Sequence, residues 1–190
     1  MRHSENVETL KQIKTSRVWS VIGTMAVLMF GFAFLPAFAK EYDKSRPVKL
    51  AVFAFELEDV SPASALMGKT TSSAASMEKV SSEARRMLAE SGRYNLIDVT
   101  KVDAKPATQK SLRQCDGCEA GIALGLGAEQ SLLGIVTRVT QTDYYVQVVI
   151  RDAKTGKILD EQSANFAGGD DGWASGARML IKHQVLVSAD

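Results

Sequence analysis

Residues 18–35 are apolar and carry no charge, and this stretch decides how much of the chain is free to fold. Lys11, Lys14 and Arg17 precede it, and Pro36 follows it. Ala37-Phe38-Ala39 then offers the small-x-small pattern that a signal peptidase accepts in its pocket. Basic flank, apolar stretch and small-residue site are the three parts of a secretory leader. Residues 1–39 are therefore expected to be cleaved on export, and the periplasm is the expected compartment. The stretch is also about long enough to cross a bilayer, so an uncleaved chain would be membrane-anchored. No second long apolar run follows, and no Cys stands close enough behind the first to direct lipidation.

The leader takes four of the 23 basic residues and two of the 22 acidic ones, which leaves 19 against 20 in residues 40–190. That near-neutral, slightly acidic balance gives no footing for nucleic acid or an anionic lipid surface, both of which reward a basic face. Neither nucleic acid nor, after cleavage, a membrane is expected as a partner. His3 leaves with the leader, so only His183 remains, on a closing helix and facing solvent. One histidine does not build a two-histidine metal site or a Cys-His nucleophile pair. No catalytic residue, metal or cofactor is expected.

After a charged, mobile lead-in over 40–47, a single domain is expected over 48–188. Residues 48–55 (VKLAVFAF) read as a buried strand. Residues 56–71 carry Pro62, Gly68, several Ser and three acids, and read as a long loop. Over 73–91 the apolar positions Met77, Val80, Ala84, Met87 and Leu88 recur at helical steps, with Lys79, Glu83, Arg86 and Glu90 outside. Gly92 ends that helix. A second strand follows over 93–98, a polar connection over 100–112, and a second helix over 116–126 stopped by Gly127. Residues 130–140 and 143–152 form the strongest strand pair. Val146, Val148 and Ile150 alternate with Gln147, Val149 and Arg151. A compact turn at 153–157 uses Gly156 and leads to a fifth strand over 158–166. Residues 168–171 open a closing helix with acids at its N-terminus. Trp173, Ala177, Leu180 and Ile181 are its buried stripe. The order β-α-β-α-β-β-β-α predicts an α/β fold, a mixed sheet of about five strands with helices packed on it.

The segments CDGCEAGIALGLGAEQSLLGIVTRV, VIRDAKTGK and DDGWASG resemble a family of small secreted bacterial proteins known only as a domain of unknown function. The pattern VKLAVFAFE, SGRYNLID, LGAEQSLLGIVTRV and VVIRDAKTGKIL also looks like the amino-terminal domain of TolB. The resemblance runs from Val48 to Val187. It implies an α/β core that recognises partner proteins and carries out no catalysis.

Cys115-Asp116-Gly117-Cys118 admits two readings. Two Cys in an exported chain pair as a structural disulfide that pins the entry of the second helix. A dithiol at a helix N-terminus is also the arrangement of a redox pair, as in thioredoxin. Against the redox reading, no proline beyond Pro106 is available to face the pair, no aromatic precedes Cys115, and Asp116 and Glu119 add negative charge. Glu119 stands where a c-type haem site needs histidine, and two sulfurs are too few for zinc. Asp170, Asp171 and Trp173 are either a recognition surface or a capped helix start with a core Trp. Glu56, Glu58 and Asp59 read as solvated loop acids that a cation would otherwise need. The expected function is an exported, non-catalytic module bound to an unidentified periplasmic protein, through a sheet edge, the 56–72 loop or the 168–173 turn. A thiol-disulfide protein using Cys115 and Cys118 is the alternative, and a small-ligand carrier with the 56–72 loop as lid is a second.

Overall fold

The computed structural model describes residues 46–64, 71–100 and 111–187. The expected leader, most of the lead-in and most of the 100–112 connection lie outside the described residues. The elements are β1 (Val48–Val52), β2 (Glu56–Asp59), α1 (Thr71–Glu90), β3 (Tyr94–Ile97), a 3-10 turn (Leu112–Gln114), α2 (Cys118–Gly125), β4 (Gln130–Arg138), β5 (Asp143–Asp152), β6 (Ile158–Ala167) and α3 (Trp173–Leu180). A π-helical turn (Ile181–Val185) continues α3.

The fold is the expected α/β class, but its mixed sheet has six strands. The order is β3-β1-β4-β5-β6, with β2 also paired to β4. β3, β1, β2 and β4 run parallel, and β4-β5-β6 is an antiparallel meander. The chain moves from β1 outward to β3, then back past β1 to β4. Right-handed crossovers in opposite directions place their helices on opposite faces, and α1 and α2 do lie on opposite faces.

The sixth strand corrects the loop expected over 56–71. Glu56-Leu-Glu-Asp59 reads as polar because only Leu57 turns to the core. Backbone pairing with β4 (Glu56↔Ile135 to Asp59↔Arg138) makes it a strand, and each of its acids finds a partner described below. β1 and β2 are two halves of one line beside β4. Between the pairs Val52↔Leu132 and Glu56↔Ile135 the chain advances four residues against three on β4. This bulge flips the phase of the side chains. Phe53 faces one side, whereas Phe55 joins Leu57 on the other. The Phe55 amide freed by the bulge donates to buried Ser81 Oγ (2.9 Å), which itself donates to the Met77 carbonyl one helical turn earlier. With 56–59 bound into the sheet, the start of the expected 56–72 loop cannot swing as a ligand lid.

On the larger face, Met77, Val80, Ala84 and Leu88 of α1 meet Trp173, Ala177, Leu180 and Ile181 of α3 over Leu50, Val52, Leu132, Val136, Val146, Val148 and Ile150. Each fully buried aliphatic there contributes about 1.5–3 kcal/mol relative to exposure. The second face carries a smaller core, Ala51, Phe53, Val99, Ala123, Ala128, Leu133 and Ala153, beneath α2. Small residues, among them buried Ala120 and Ala123, let α2 lie close to the sheet.

α3 starts later than the acids at 170–171 suggested. Gly172 is its N-cap, no side chain caps it, and no acid stands in its first turn. No helix among the described residues is long and apolar enough to cross a membrane.

Candidate functional site

The Cys115–Cys118 pair sits on the tight loop that opens α2. The two Cα atoms are 5.5 Å apart and the sulfurs are joined. Asp116 and Gly117 both adopt positive φ (47° and 96°), which brings Cys118 round to the first position of the helix. Gly117 suits this because, lacking a Cβ, it takes up positive φ at little cost. Cys118 is exposed and Cys115 half-buried.

Two charged groups hold this loop from either side. The Glu56 carboxylate on β2 accepts from the Leu112 amide (2.6 Å), the Arg113 amide (3.2 Å) and the Ser111 hydroxyl, and pairs with Arg113 Nη1 at 3.4 Å. It fixes the 3-10 turn that delivers Cys115. On the other side Arg151 of β5 lies under the loop. Its Nη2 is 3.9 Å from Asp116 Oδ1, and its Nη1 donates to the Gly156 carbonyl at 3.1 Å.

Beneath the disulfide, Glu119 is 2% exposed. Its Oε1 lies 2.9 Å from Arg151 Nε, close enough for an ion pair, although the N–H is not aligned for a hydrogen bond. Glu119 Oε2 and fully buried Ser131 Oγ have no hydrogen-bonding partner among the described residues. Ser131 is directly opposite Arg151 in the β4–β5 ladder. A carboxylate oxygen of Glu119 and both sulfurs lie within 4.8 Å of one another. Among the described residues this is the one set of sulfur and carboxylate groups close enough to share an ion, and both sulfurs are in the disulfide.

In the 168–173 segment the tryptophan lies in the core, as one of the two readings had it, while the acids before it cap no helix. Trp173 is 1% exposed and belongs to the core, so its ring is not a surface contact. It packs against Tyr144 (6.5 Å between centroids) and lies 5.0 Å beneath the Arg138 guanidinium. Asp170 is tied down: Oδ1 pairs with Arg138 Nη2 at 2.6 Å, and Oδ2 accepts from Ser73 at 2.8 Å. Arg138 also pairs with Asp59 at 2.7 Å. Partial burial pushes the Asp59 carboxyl up, but hydrogen bonds from Ser61 and the charge of Arg138 bring it below its ordinary value. Of the three candidates only Asp171 is exposed.

The acids at 56–59 stand on a strand instead of the expected loop, and each has a partner. Glu58 accepts from Thr137 at 3.2 Å, and Asp59 and Glu56 are paired as above. His183 is exposed, as expected. Tyr144 is buried and stacks on Phe166 at 5.6 Å, while Tyr145 on the opposite face is half-buried.

β6 ends the sheet. Its side chains alternate between half-buried and fully exposed, and Ile158 and Leu159 at its start are 47% and 52% exposed. The outer face of β5 and β6 presents Tyr145, Gln147, Val149, Glu161, Ser163 and Asn165, none of them buried.

Sequence reasoning missed Glu119, Ser131, Arg138 and Arg151. Arg151 carried a usable signal: it stands in phase with Gln147 and Val149, on the face that α2 covers further along. Glu119 gave only adjacency to Cys118.

No curated protein matches the sequence significantly. Among solved structures, the chain is similar to lipoprotein GNA1162 from Neisseria meningitidis, at 16% identity and a TM-score of 0.49, covering 76% of this chain and 100% of that one. It is similar to the LpoB C-terminal domain from Salmonella enterica, at 15% identity and a TM-score of 0.46, covering 64% and 83%. It is also similar to TolB from Acinetobacter baumannii, at 13% identity and a TM-score of 0.44, covering 75% and 29%. The model of the family DUF3280, described as "Protein of unknown function (DUF2380)", matches residues 48–185, from the first residue of β1 to the end of the π-helical turn. The chain therefore belongs to the DUF3280 family of proteins of unknown function.

Proposed function

We propose that the protein is an exported, non-catalytic accessory module that holds a partner protein by pairing an extended segment of it with β6. One observation carries this reading: among the described residues β6 is a ten-residue strand at the end of the sheet, whereas the opposite edge, β3, has four residues. Long edges are normally blunted by Pro or Lys because their free N–H and C=O groups template another strand. Residues 158–167 contain neither. The one irregularity in the β5–β6 ladder, at Arg151, lies near the start of the strand and leaves the rest regular. Adding a strand to such an edge is a recognised mode of binding, with backbone bonds giving affinity and alternate side chains giving specificity. Export rests on the leader pattern of residues 1–39, and amino-terminal sequencing of the mature protein checks it.

The test is capture of the partner by tagged protein from periplasmic extract, alongside a Ser163→Lys/Asn165→Lys variant with an unchanged melting temperature. Both substitutions sit at exposed positions of β6. The reading expects a stoichiometric partner that the variant fails to hold. Equal recovery by both proteins, or no partner with either after crosslinking, overturns it.

A further inference from the structure

Beyond partner binding, we propose that Cys115 and Cys118 form a thiol-disulfide exchange site in which Cys118 is the attacking sulfur and buried Glu119 carries the proton of Cys115. Three observations meet here. Cys118 is exposed and occupies the first position of α2, where the helix N-terminus favours a thiolate. Cys115 is half-buried, its Sγ 3.0 Å from the Leu112 carbonyl, so it is placed to act from within. Glu119 is 2% exposed, its Oε2 has no hydrogen-bonding partner among the described residues, and one of its carboxylate oxygens lies within 4.8 Å of both sulfurs. A disulfide serving only as a staple gives no reason to bury a carboxylate under it, since an unpartnered buried oxygen costs stability. Nor does it account for the two charged supports, Glu56 and Arg151, that hold the loop on either side.

The reduced pair reacts with the disulfide of a protein substrate. The Cys118 thiolate attacks one substrate sulfur, forming a mixed disulfide and releasing the other substrate sulfur as a thiolate, which takes a proton from water. The Cys115 thiol then gives its proton to Glu119 and attacks Cys118 Sγ. The Cys115–Cys118 bond forms and the Cys118–substrate bond breaks. The departing substrate sulfur takes the proton back from Glu119. The chain is oxidised by two electrons and the substrate disulfide is reduced to two thiols. The structure holds the oxidised product. Arg151 is a positioning residue, since it touches Glu119 and Asp116 but neither sulfur is among its partners. This assignment inverts the order that chain position suggests, because the second Cys of the pair is the exposed one.

Oxidised glutathione is the probe. In the reduced wild-type protein, brief treatment with iodoacetamide followed by mass spectrometry should label Cys118 at least about tenfold faster than Cys115, as a thiolate at a helix N-terminus requires. Cys115→Ser should accumulate a glutathione mixed disulfide at Cys118, and Cys118→Ser should form one at Cys115 at least about tenfold more slowly. Ring closure in the wild type should vary little between about pH 6 and 8, because Glu119 supplies the base. Closure in Glu119→Gln should rise about tenfold per pH unit over that range, since Cys115 must then lose its proton to hydroxide before it attacks. The groups beside Glu119 are Arg151 from the sheet and Cys115 and Cys118 from the loop, with exposed Asp116 reached only through Arg151, and none of them changes in that variant. Equal labelling of the two Cys, faster labelling of Cys115, or parallel pH profiles would overturn the proposal. The wild-type labelling stands as a test even if the variants fold poorly. None of these readouts depends on the β6 partner.

Discussion

The Phe55 ring occupies the space that any side chain at position 134 would fill. Gly134 lies at the middle of β4, and a Cβ built on it would overlap the Phe55 ring atoms. The bulge between β1 and β2 turns Phe55 toward that face, so the bulge and the glycine depend on each other.

Gly134→Ala should destabilise the fold by about 1–3 kcal/mol, the range for overpacking a tight core. Phe55→Leu combined with Gly134→Ala should recover part of that loss, because contacting residues are non-additive. Chemical denaturation of Gly134→Ala, Phe55→Leu and the double variant measures this. Strict additivity would mean that the ring and the glycine are not in contact.

Arg138 joins β4 to three other parts of the fold: Asp59 on β2, Ser73 near the start of α1 and Asp170 before α3. A lysine keeps the charge but cannot reach two carboxylates and lie over an indole at once. Arg138→Lys should therefore lower the melting temperature nearly as much as Arg138→Met. A double-mutant cycle between Arg138→Met and Asp170→Asn should give a coupling of about 0.5–3 kcal/mol. Fluorescence reports on this region directly, since Trp173 is the only tryptophan outside the apolar leader.

Asp59 titrates below its ordinary value in the folded chain: partial burial works against this, and Ser61 and Arg138 outweigh it. A depressed folded value gives stability that is complete above the unfolded value of about 3.9. That stability is lost as pH falls through the folded value. The urea midpoint of the wild type should therefore drop below about pH 4 more steeply than that of Asp59→Asn. Parallel curves for the two proteins would show that Asp59 gains nothing from its partners.

Much of this fold was legible because its core obeys simple periods. The helical steps of Met77, Val80, Ala84 and Leu88, and the alternation of Val146, Val148 and Ile150, place those residues in the core as read. β2 was hidden because three of its four residues are acidic and its existence depends on β4, which lies about eighty residues away in the chain. The acids at 170 and 171 looked like a helix start because local capping rules know nothing of Arg138. Cys115 and Cys118 were visible as a pair, and they are bonded in the structure. Their surroundings were not visible, because Glu56 and Arg151 reach the loop around them from two different strands. Residues 48–185 bear out the resemblance to an uncharacterised family.

Hydrogen exchange on β6 tests the central claim most directly. In the free protein, the amides of β6 that point away from β5 should exchange rapidly, while those bonded to β5 stay protected. With the captured partner bound, the outward amides of residues 158–167 should slow by at least about tenfold, as strand addition requires. Protection confined to α1 and α3, or to the Cys115–Cys118 loop, with β6 unchanged, would contradict the account.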